Sequence, residues 1–294
     1  MDVGLFAPTA TPAATRDLLA ALGPAAESRG FASLWAPEHV VTFDPAPAPS
    51  PTRDPARGEP RLPAREAGSL DPFTALAFLA ATTSRIRLGT GVALVSQRQP
   101  LFTAKEVASV DHLSGGRLDL GIGVGWIRDE FTALGLRRED RGRLADRNLA
   151  VMRTLWTDPV SEYHGDGIDL APCRAYPKPV QRPHPPIHVG GHSDAALERV
   201  ARVGQGWYAF GVDVATFADR LAALGQVLEA HGRTRAEIRV SVCPFRHPSD
   251  ADAVRRYRDA GADQVILPDA ATLDDHTLLP RLDQLARIVD AVHA

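Results

Sequence analysis

The hydrophobic pattern alternates between two periods along most of the chain. Short, nearly continuous apolar runs predict strands that are buried on both faces, and the segments between them show the 3.6-residue period of amphipathic helices. The predicted strands are Val3–Phe6, Ser33–Ala36, Arg87–Val95, Arg117–Gly123, Ile187–Val189, Gly206–Ala209, Arg239–Cys243 and Gln264–Leu267. Eight strands alternating with helices over 294 residues predict an α/β fold, a single (β/α)8 TIM barrel. A doubly wound parallel sheet of similar size is the alternative.

The predicted helix ends carry recognisable signals. Asp71 stands before Pro72 at a first helical position, while Ser193 and Ser249 stand before apolar-periodic segments, so each is predicted to cap a helix. The phrases "ESRGFASLWAP", "ARVGQGWYAFG" and "RDAGADQVILPD" each end a helix on glycine and enter a strand a few residues later. They predict left-handed glycine caps followed by tight turns.

Two segments interrupt the alternation. Residues 44–67 contain seven prolines and almost no apolar periodicity, which excludes a helix or a central strand. This insertion, about 43–70, follows strand 2 and should emerge at the C-terminal face of a barrel. The second insertion, 159–186, contains "YHGDGIDLAP", a predicted small hairpin, and the stiff "YPKPVQRPHPP". The alternation resumes after both, so we predict one domain over 1–294.

Composition narrows the possible partners. A formal net charge of −3 gives no reason to expect nucleic acid or an anionic membrane. The two cysteines, Cys173 and Cys243, match no disulfide framework or metal motif, and reduced thiols fit the cytoplasm. The start "MDVGLFAP" does not resemble a signal peptide, and no apolar run approaches the ~20 residues that span a bilayer. We therefore expect a soluble cytoplasmic protein with a small-molecule substrate.

The segment "GRLDLGIGVGWIRDEFTALG" carries glycines at alternate positions, Gly121, Gly123 and Gly125. A Rossmann fingerprint would need its third glycine one residue later and a place after the first strand of the chain. Glycines at alternate positions lie on one face of a strand and remove side-chain bulk there. Two interpretations stay open: a flat ring lies against this backbone, or the strand packs tightly in the barrel interior.

Four segments resemble the luciferase-like family of flavin and deazaflavin oxidoreductases. They are "FASLWAPEHVV", "IRLGTGVALVSQRQP", the glycine segment above and "PPIHVGGHSDAALERVARVGQGW". The similarity covers most of the chain and is weakest in the proline-rich insertion and after about residue 210. It is closest to the branch that uses coenzyme F-420, an 8-hydroxy-5-deazaflavin. The resemblance implies a TIM barrel that binds this coenzyme, with FMN as the alternative.

The resemblance also implies roles for individual residues. His39 matches the family's active-site histidine, and a side chain that titrates near neutral pH suits proton transfer. Glu38 is expected either to orient His39 or to face solvent, and the alternation of an extended segment favours solvent. A cis peptide bond between Gly91 and Val92 is expected behind the coenzyme ring. The predicted coenzyme-binding residues are Gly91, Val92, Gly123, Gly125, Trp126, Val189, Gly190, Gly191 and His192.

Within this set, "HVGGHSDAAL" is the expected phosphate site. Gly190 and Gly191 allow backbone N–H groups to approach an anion, and a helix N-terminus adds its positive end. An ordinary glycine turn capped by Ser193 is the alternative. A metal site built from His184, His188 and His192 is not predicted, because prolines and glycines interrupt the spacing and no carboxylate or cysteine completes a set.

Trp126 marks a departure from the family. Some deazaflavin dehydrogenases of the family have a glutamate directly after the glycine triplet, whereas this chain has tryptophan. The resemblance therefore does not support a sugar-phosphate substrate, and the large ring indicates a flat or apolar one.

The leading hypothesis is an oxidoreductase that transfers a hydride between coenzyme F-420 and a small organic substrate, with His39 handling the proton. A monooxygenase that uses reduced FMN is the alternative, and a cofactor-free binding barrel is a third hypothesis. A homodimer is expected, with neither a nucleic acid nor a membrane as partner.

The proline-rich insertion generates the first prediction. If residues 44–67 act as a lid that excludes water from the barrel mouth, limited proteolysis should cut there first. Coenzyme and substrate together should protect the segment. Equal cleavage with and without ligands would make it a passive surface insertion.

Overall fold

Eight parallel strand positions close into a barrel in the computed structural model, which describes residues 1–10, 13–43, 68–268, 274 and 276–293. The strands are β1 Asp2–Phe6, β2 Ser33–Ala36, β3 Arg87–Thr90, β4 Ala93–Leu94, β5 Leu118–Gly123, β6 Ser161–Gly165, β7 Ile168–Cys173, β8 Ile187–Gly190, β9 Gly206–Phe210, β10 Arg239–Cys243 and β11 Gln264–Leu267. The helices are α1 Arg16–Ser28, α2 Pro72–Thr82, α3 Pro100–Leu113, α4 Arg128–Ala133, α5 Arg141–Thr157, α6 Asp194–Val203, α7 Val214–Ala230, α8 Ala251–Asp259 and α9 Leu278–His293.

The strand order confirms the predicted (β/α)8 barrel. Strand β1 pairs with both β2 and β11, and the ring continues through β3, β5, β8, β9 and β10. Leu5 of β1 lies opposite Leu34 on one side and Leu267 on the other. Every barrel pairing is parallel, so all carboxyl ends meet at one face of the barrel, and the helices lie outside it.

The third predicted strand is interrupted. The run Arg87–Val95 was expected to be continuous, but β3 ends at Thr90 and β4 begins at Ala93. Between them the peptide bond from Gly91 to Val92 is cis, as the resemblance implied. The N–H of Gly91 still donates to the carbonyl of Ala36 at 2.7 Å, which keeps the interruption joined to β2.

Two of the predicted helix ends need correction. Asp71 and Ser193 cap α2 and α6 as predicted, but Asp250 rather than Ser249 caps α8, because the Asp250 carboxylate accepts from the N–H of Ala253. Gly30 and Gly261 have φ values of +78° and +101° and follow the left-handed pattern. The glycine after α6, Gly204, has φ −82° instead.

The second insertion contains the predicted hairpin. Strands β6 and β7 pair antiparallel, and the proline-rich stretch after them has cis bonds before Pro177 and Pro183. Lys178 ties this stretch to the end of α5 by donating to the carbonyls of Leu155 and Asp158 at 2.8 and 2.6 Å. The predicted lid, residues 44–67, lies outside the described residues.

The barrel interior contains a buried ion pair below the site. Asp119 of β5 accepts from Arg87 at 2.6 and 2.7 Å, and His188 Nε2 lies 3.4 Å from the same carboxylate. Burial acts to raise the pKa of Asp119, but the hydrogen bonds and charges of His188 and Arg87 outweigh it and hold the pKa well below its usual range. This network replaces apolar packing on one side of the interior.

Within the described ranges, no helix is both long and apolar enough to span a membrane. Cys243 is buried, Cys173 is half-buried, and neither forms a disulfide among the residues that the structure describes.

The lowered pKa of Asp119 makes stability pH-dependent. Asp119→Asn should lower the free energy of unfolding at pH 7 by about 1–3 kcal/mol, because it removes the charged partner of Arg87, whose side chain is 30% exposed. The folded-state pKa lies below the unfolded value of about 3.9, so the stabilisation is complete above that pH and is lost as the pH falls. Urea unfolding from pH 7 to pH 3 should show the difference from wild type shrinking only below about pH 4.

The exposed Asp219 on α7 supplies the matched control. Asp219→Asn should change stability by less than about 0.5 kcal/mol at any of these pH values. Equal effects of the two substitutions would contradict the assignment of the ion pair.

Candidate active site

The predicted site residues gather at the carboxyl ends of neighbouring strands. His39 follows β2, Val92 separates β3 from β4, Trp126 follows β5, and Gly191 follows β8. These strands are consecutive neighbours in the barrel. Active sites of TIM barrels are built at this face, from the loops that leave the strands.

Glu38 anchors the segment that carries His39. Its side chain is 4% exposed, so the expectation that it faces solvent is wrong. One carboxylate oxygen accepts from the N–H of Leu94 at 2.6 Å, and the other accepts from Arg98 Nε at 2.6 Å. The extended backbone does point Glu38 and His39 in different directions, but Glu38 points into the protein toward β4.

Arg98, which binds Glu38, also contacts two other carboxylates. It contacts Asp71 and Glu106 at 2.5 and 2.7 Å, and its guanidinium lies 4.7 Å from the centre of the Phe73 ring. Burial raises the pKa of Asp71, but hydrogen bonds from Thr74 and Arg98 and the Arg98 charge lower it overall. Arg98 therefore ties the N-cap of α2 and the middle of α3 to the end of β2.

His39 is half-exposed and held on one edge of its ring. Nδ1 lies 3.1 Å from Glu130 Oε1, and 37% of the side chain is exposed. The Trp126 ring stands edge-on to it, with centroids 6.0 Å apart and planes at 86°. The other ring nitrogen, Nε2, is not buried and has no hydrogen-bond partner in the part of the chain that the structure describes.

Glu130 is a residue of the candidate site that sequence reasoning missed. Its side chain is 0% exposed even though it lies in the polar first turn of α4, where acidic residues usually face solvent and favour the helix dipole. It also accepts from the N–H of Val40 at 3.2 Å and from Gln97 Nε2 at 3.5 Å. A signal did exist, since "RDEF" follows the glycine segment directly, but it could not be separated from ordinary first-turn acids.

The glycine segment makes room for neighbouring strands. A Cβ on Gly121 would overlap the carbonyl of Thr90, and a Cβ on Gly123 would lie 2.6 Å from Val92 Cγ2. The space beside these two glycines is therefore occupied by atoms of the barrel itself, as expected if the strand packs tightly in the barrel interior. Val92 itself is half-buried and stands in front of Gly123. Contact between Gly123 and a coenzyme stays a prediction.

Gly125 supplies the turn that leads into α4. Its φ of +71° is unfavourable for other residues, and a Cβ would lie 2.8 Å from Gln97 Nε2 and 3.1 Å from Phe131. Helix α4 begins three residues after Gly125, and its Glu130 meets His39 across 91 residues of sequence.

The expected phosphate site has open donors. Ser193 caps α6 by accepting from Ala196, while Asp194 and Ala195 belong to the first turn, whose N–H groups have no partner within the helix. Gly191 has φ +103°, and its carbonyl accepts from Trp207 Nε1 at 2.7 Å.

Two buried side-chain atoms beside this turn lack hydrogen-bond partners among the described residues. They are His192 Nδ1 and Arg220 Nε. Burial and the nearby Arg220 charge lower the pKa of His192. Arg220 also binds Asp194 through Nη2 at 2.6 Å, which places its guanidinium at the N-terminus of α6. The site therefore combines a helix N-terminus with two unsatisfied polar groups, as a bound anion requires.

Val189, which was predicted to bind coenzyme, and the histidines of the rejected metal site lie elsewhere. Val189 is 2% exposed and lies in the hydrophobic core. His188 lies in the barrel interior with its ring 5.4 Å from Trp35, and His184 packs against Trp156 at 5.7 Å. No group of three or more metal-binding side chains occurs among the described residues.

Aromatic rings line the other side of the same face. Phe6 ends β1, Phe210 ends β9, and Phe245 follows β10, with ring centroids 5.1–6.3 Å apart. Phe210 and Phe245 are half-buried. The mouth is therefore polar beside β2 and β8 and apolar beside β9 and β10.

Comparisons with known proteins identify the family and the fold. A family model described as luciferase-like monooxygenase matches residues 1–291. An uncharacterized protein of Mycobacterium tuberculosis is 34% identical over 276 residues, which cover 92% of this chain and 92% of that protein.

Two solved structures have a similar fold. One is a monooxygenase from Streptomyces bottropensis, with a TM-score of 0.78, 22% identity and 100% coverage of both chains. The other is an F-420-dependent secondary alcohol dehydrogenase in complex with an F-420–acetone adduct, with a TM-score of 0.77, 15% identity and coverage of 99% of this chain and 98% of that one. At these identities the similarity shows the fold alone.

Proposed function

This chain belongs to the luciferase-like monooxygenase family, and we propose that it is an oxidoreductase that transfers a hydride between coenzyme F-420 and a small organic substrate. The observation that supports this most is the juxtaposition at one barrel face of a half-exposed histidine, His39, and a turn with unsatisfied anion-binding groups at Gly191. The first suits proton transfer and the second suits a coenzyme phosphate.

The residues present fit such a coenzyme. The open N–H groups of α6, with His192 and Arg220 beside them, would hold the phosphate. Val92, which is half-buried between β3 and β4, would support the ring from behind. When bound, the deazaflavin supplies a carbon centre that accepts or releases a hydride.

The protein's own chemistry in this proposal is proton handling. His39 Nε2 is accessible and would take a proton from a substrate hydroxyl, or return it in the reverse direction. Trp126, which is 37% exposed beside it, would pack against a flat or apolar substrate. Phe210 and Phe245 extend that apolar wall on the opposite side.

Reduced FMN is the second candidate coenzyme, in a monooxygenase. The turn at Gly191 suits its phosphate equally well, and the monooxygenase from Streptomyces bottropensis shares the fold over the whole chain. A homodimer also stays a prediction, which sedimentation of the purified protein would test.

Substitution of Gly191 tests the phosphate site. Gly191→Asp should weaken coenzyme binding tenfold or more, about 1.4 kcal/mol per decade, because it places a negative charge beside the expected phosphate. The φ of +103° strains any side chain at this position, so Gly191→Ala is the matched control. Calorimetric titration of both variants should show a much smaller loss for alanine. Equal coenzyme affinities of the two variants would contradict a phosphate site at this turn.

Substitution of His39 tests the proton-transfer role. Asparagine keeps a donor near the position of Nδ1 but cannot exchange a proton near pH 7. His39→Asn should therefore keep coenzyme affinity within a few-fold and lower turnover by about 10²–10⁴. The pH–rate profile should lose one limb. Turnover within about threefold of wild type in the folded variant would leave His39 as a ring contact only.

A further inference from the structure

Glu130 and His39 form a buried-to-exposed pair that the family resemblance did not include. The carboxylate is fully buried, whereas the imidazole is half-exposed, and the bond joins α4 to the loop after β2. We infer that Glu130 is a positioning residue that fixes the neutral His39 ring with its proton on Nδ1, so that Nε2 presents its lone pair at the barrel mouth. This inference deepens the proposed function and rests on it for the role of His39.

The direction of the hydrogen bond follows from a second donor. The backbone N–H of Val40 can only donate, and it donates to the same oxygen, Glu130 Oε1, at 3.2 Å. With Glu130 ionised, Oε1 can only accept, so its other partner, His39 Nδ1 at 3.1 Å, carries the proton.

The other ring nitrogen is free to act. Nε2 is neither buried nor hydrogen-bonded to any of the described residues. A histidine whose Nδ1–H is held by a buried carboxylate keeps one tautomer and one ring orientation, and the carboxylate stabilises the imidazolium once Nε2 has taken a proton. The step moves one proton from a substrate hydroxyl to Nε2, and Glu130 itself stays ionised.

The surroundings hold Glu130 in place from both sides. Oε2 accepts from Gln97 Nε2 at 3.5 Å, and Gln97 packs beneath the turn at Gly125. Val40 fixes the carboxylate relative to the backbone next to His39. Glu38 meanwhile anchors the preceding residue to β4 and Arg98. The ring is thus restrained at its backbone and at Nδ1.

The tautomer can be read directly in coenzyme-free protein. Long-range ¹H–¹⁵N correlation spectra of histidine-labelled protein distinguish a protonated Nδ1 from a protonated Nε2, and the His39 signals are assigned by their absence in His39→Asn. Wild type should show Nδ1–H in the neutral ring. Glu130→Leu, which removes the acceptor, should shift the ring toward Nε2–H. A wild-type ring protonated on Nε2 would overturn the inference.

Kinetics supply the second measurement. Glu130→Leu should lower kcat about 10²-fold and change KM by less than about threefold, because the acceptor acts on the proton rather than on binding. Glu130→Gln keeps an acceptor oxygen, and Gln97 Oε1, which has no partner among the described residues, can receive its new N–H. This variant should keep the Nδ1–H tautomer and lose less activity than Glu130→Leu.

Asp111→Asn is the matched control for removing a buried carboxylate. Asp111 is 0% exposed and accepts from Gln181, whose side chain also bonds to Leu118 at the start of β5, at the opposite end of the barrel. The His39 tautomer should be unchanged in this variant. An equal fall in kcat for Asp111→Asn and Glu130→Leu would overturn the positioning role.

The two proposals fail in different ways. Full activity of His39→Asn would reject the proton-transfer function while the tautomer result stood. A His39 tautomer that is unchanged in Glu130→Leu, together with an inactive His39→Asn, would reject the positioning role of Glu130 and leave the function in place.

Discussion

The barrel mouth depends on one buried carboxylate, that of Glu38. It binds the N–H of Leu94 and the guanidinium of Arg98 at once, and so joins the end of β2 to the interrupted third strand. Arg98 in turn contacts Asp71 at the N-cap of α2 and Glu106 in the middle of α3. Because a buried charge is tolerated only when it is paired and hydrogen-bonded, these contacts fix the backbone from which His39 projects.

With that backbone fixed, the mouth divides into two regions of different chemistry. One side holds His39 with Glu130 and Trp126, where a proton can be exchanged next to an aromatic wall. The other side, after β8, presents helix N–H groups beside His192 and Arg220, where an anion can be bound. A coenzyme with a phosphate tail and a flat reactive ring would connect the two regions.

The sequence predicted the fold well because the barrel strands are continuous apolar runs whose burial does not depend on distant details. It also predicted the places of His39 and Gly191, which follow strands and carry motif signals. The sequence did not predict the surroundings of side chains that are set by contacts between distant segments. Glu38 was expected to face solvent because side chains alternate in direction along an extended segment. The alternation does not show which atoms lie in each direction. Glu130 was missed because its contact with His39 joins residues that are 91 positions apart in the sequence.

The central claim is that this face binds coenzyme F-420. Titration of the coenzyme-free protein with F-420 and, in parallel, with FMN, followed by absorbance and fluorescence, tests it most directly. The proposed function predicts saturable binding of F-420 that is tighter than the binding of FMN. Tighter binding of FMN than of F-420 would contradict the assigned coenzyme, and binding of neither would contradict the coenzyme site itself.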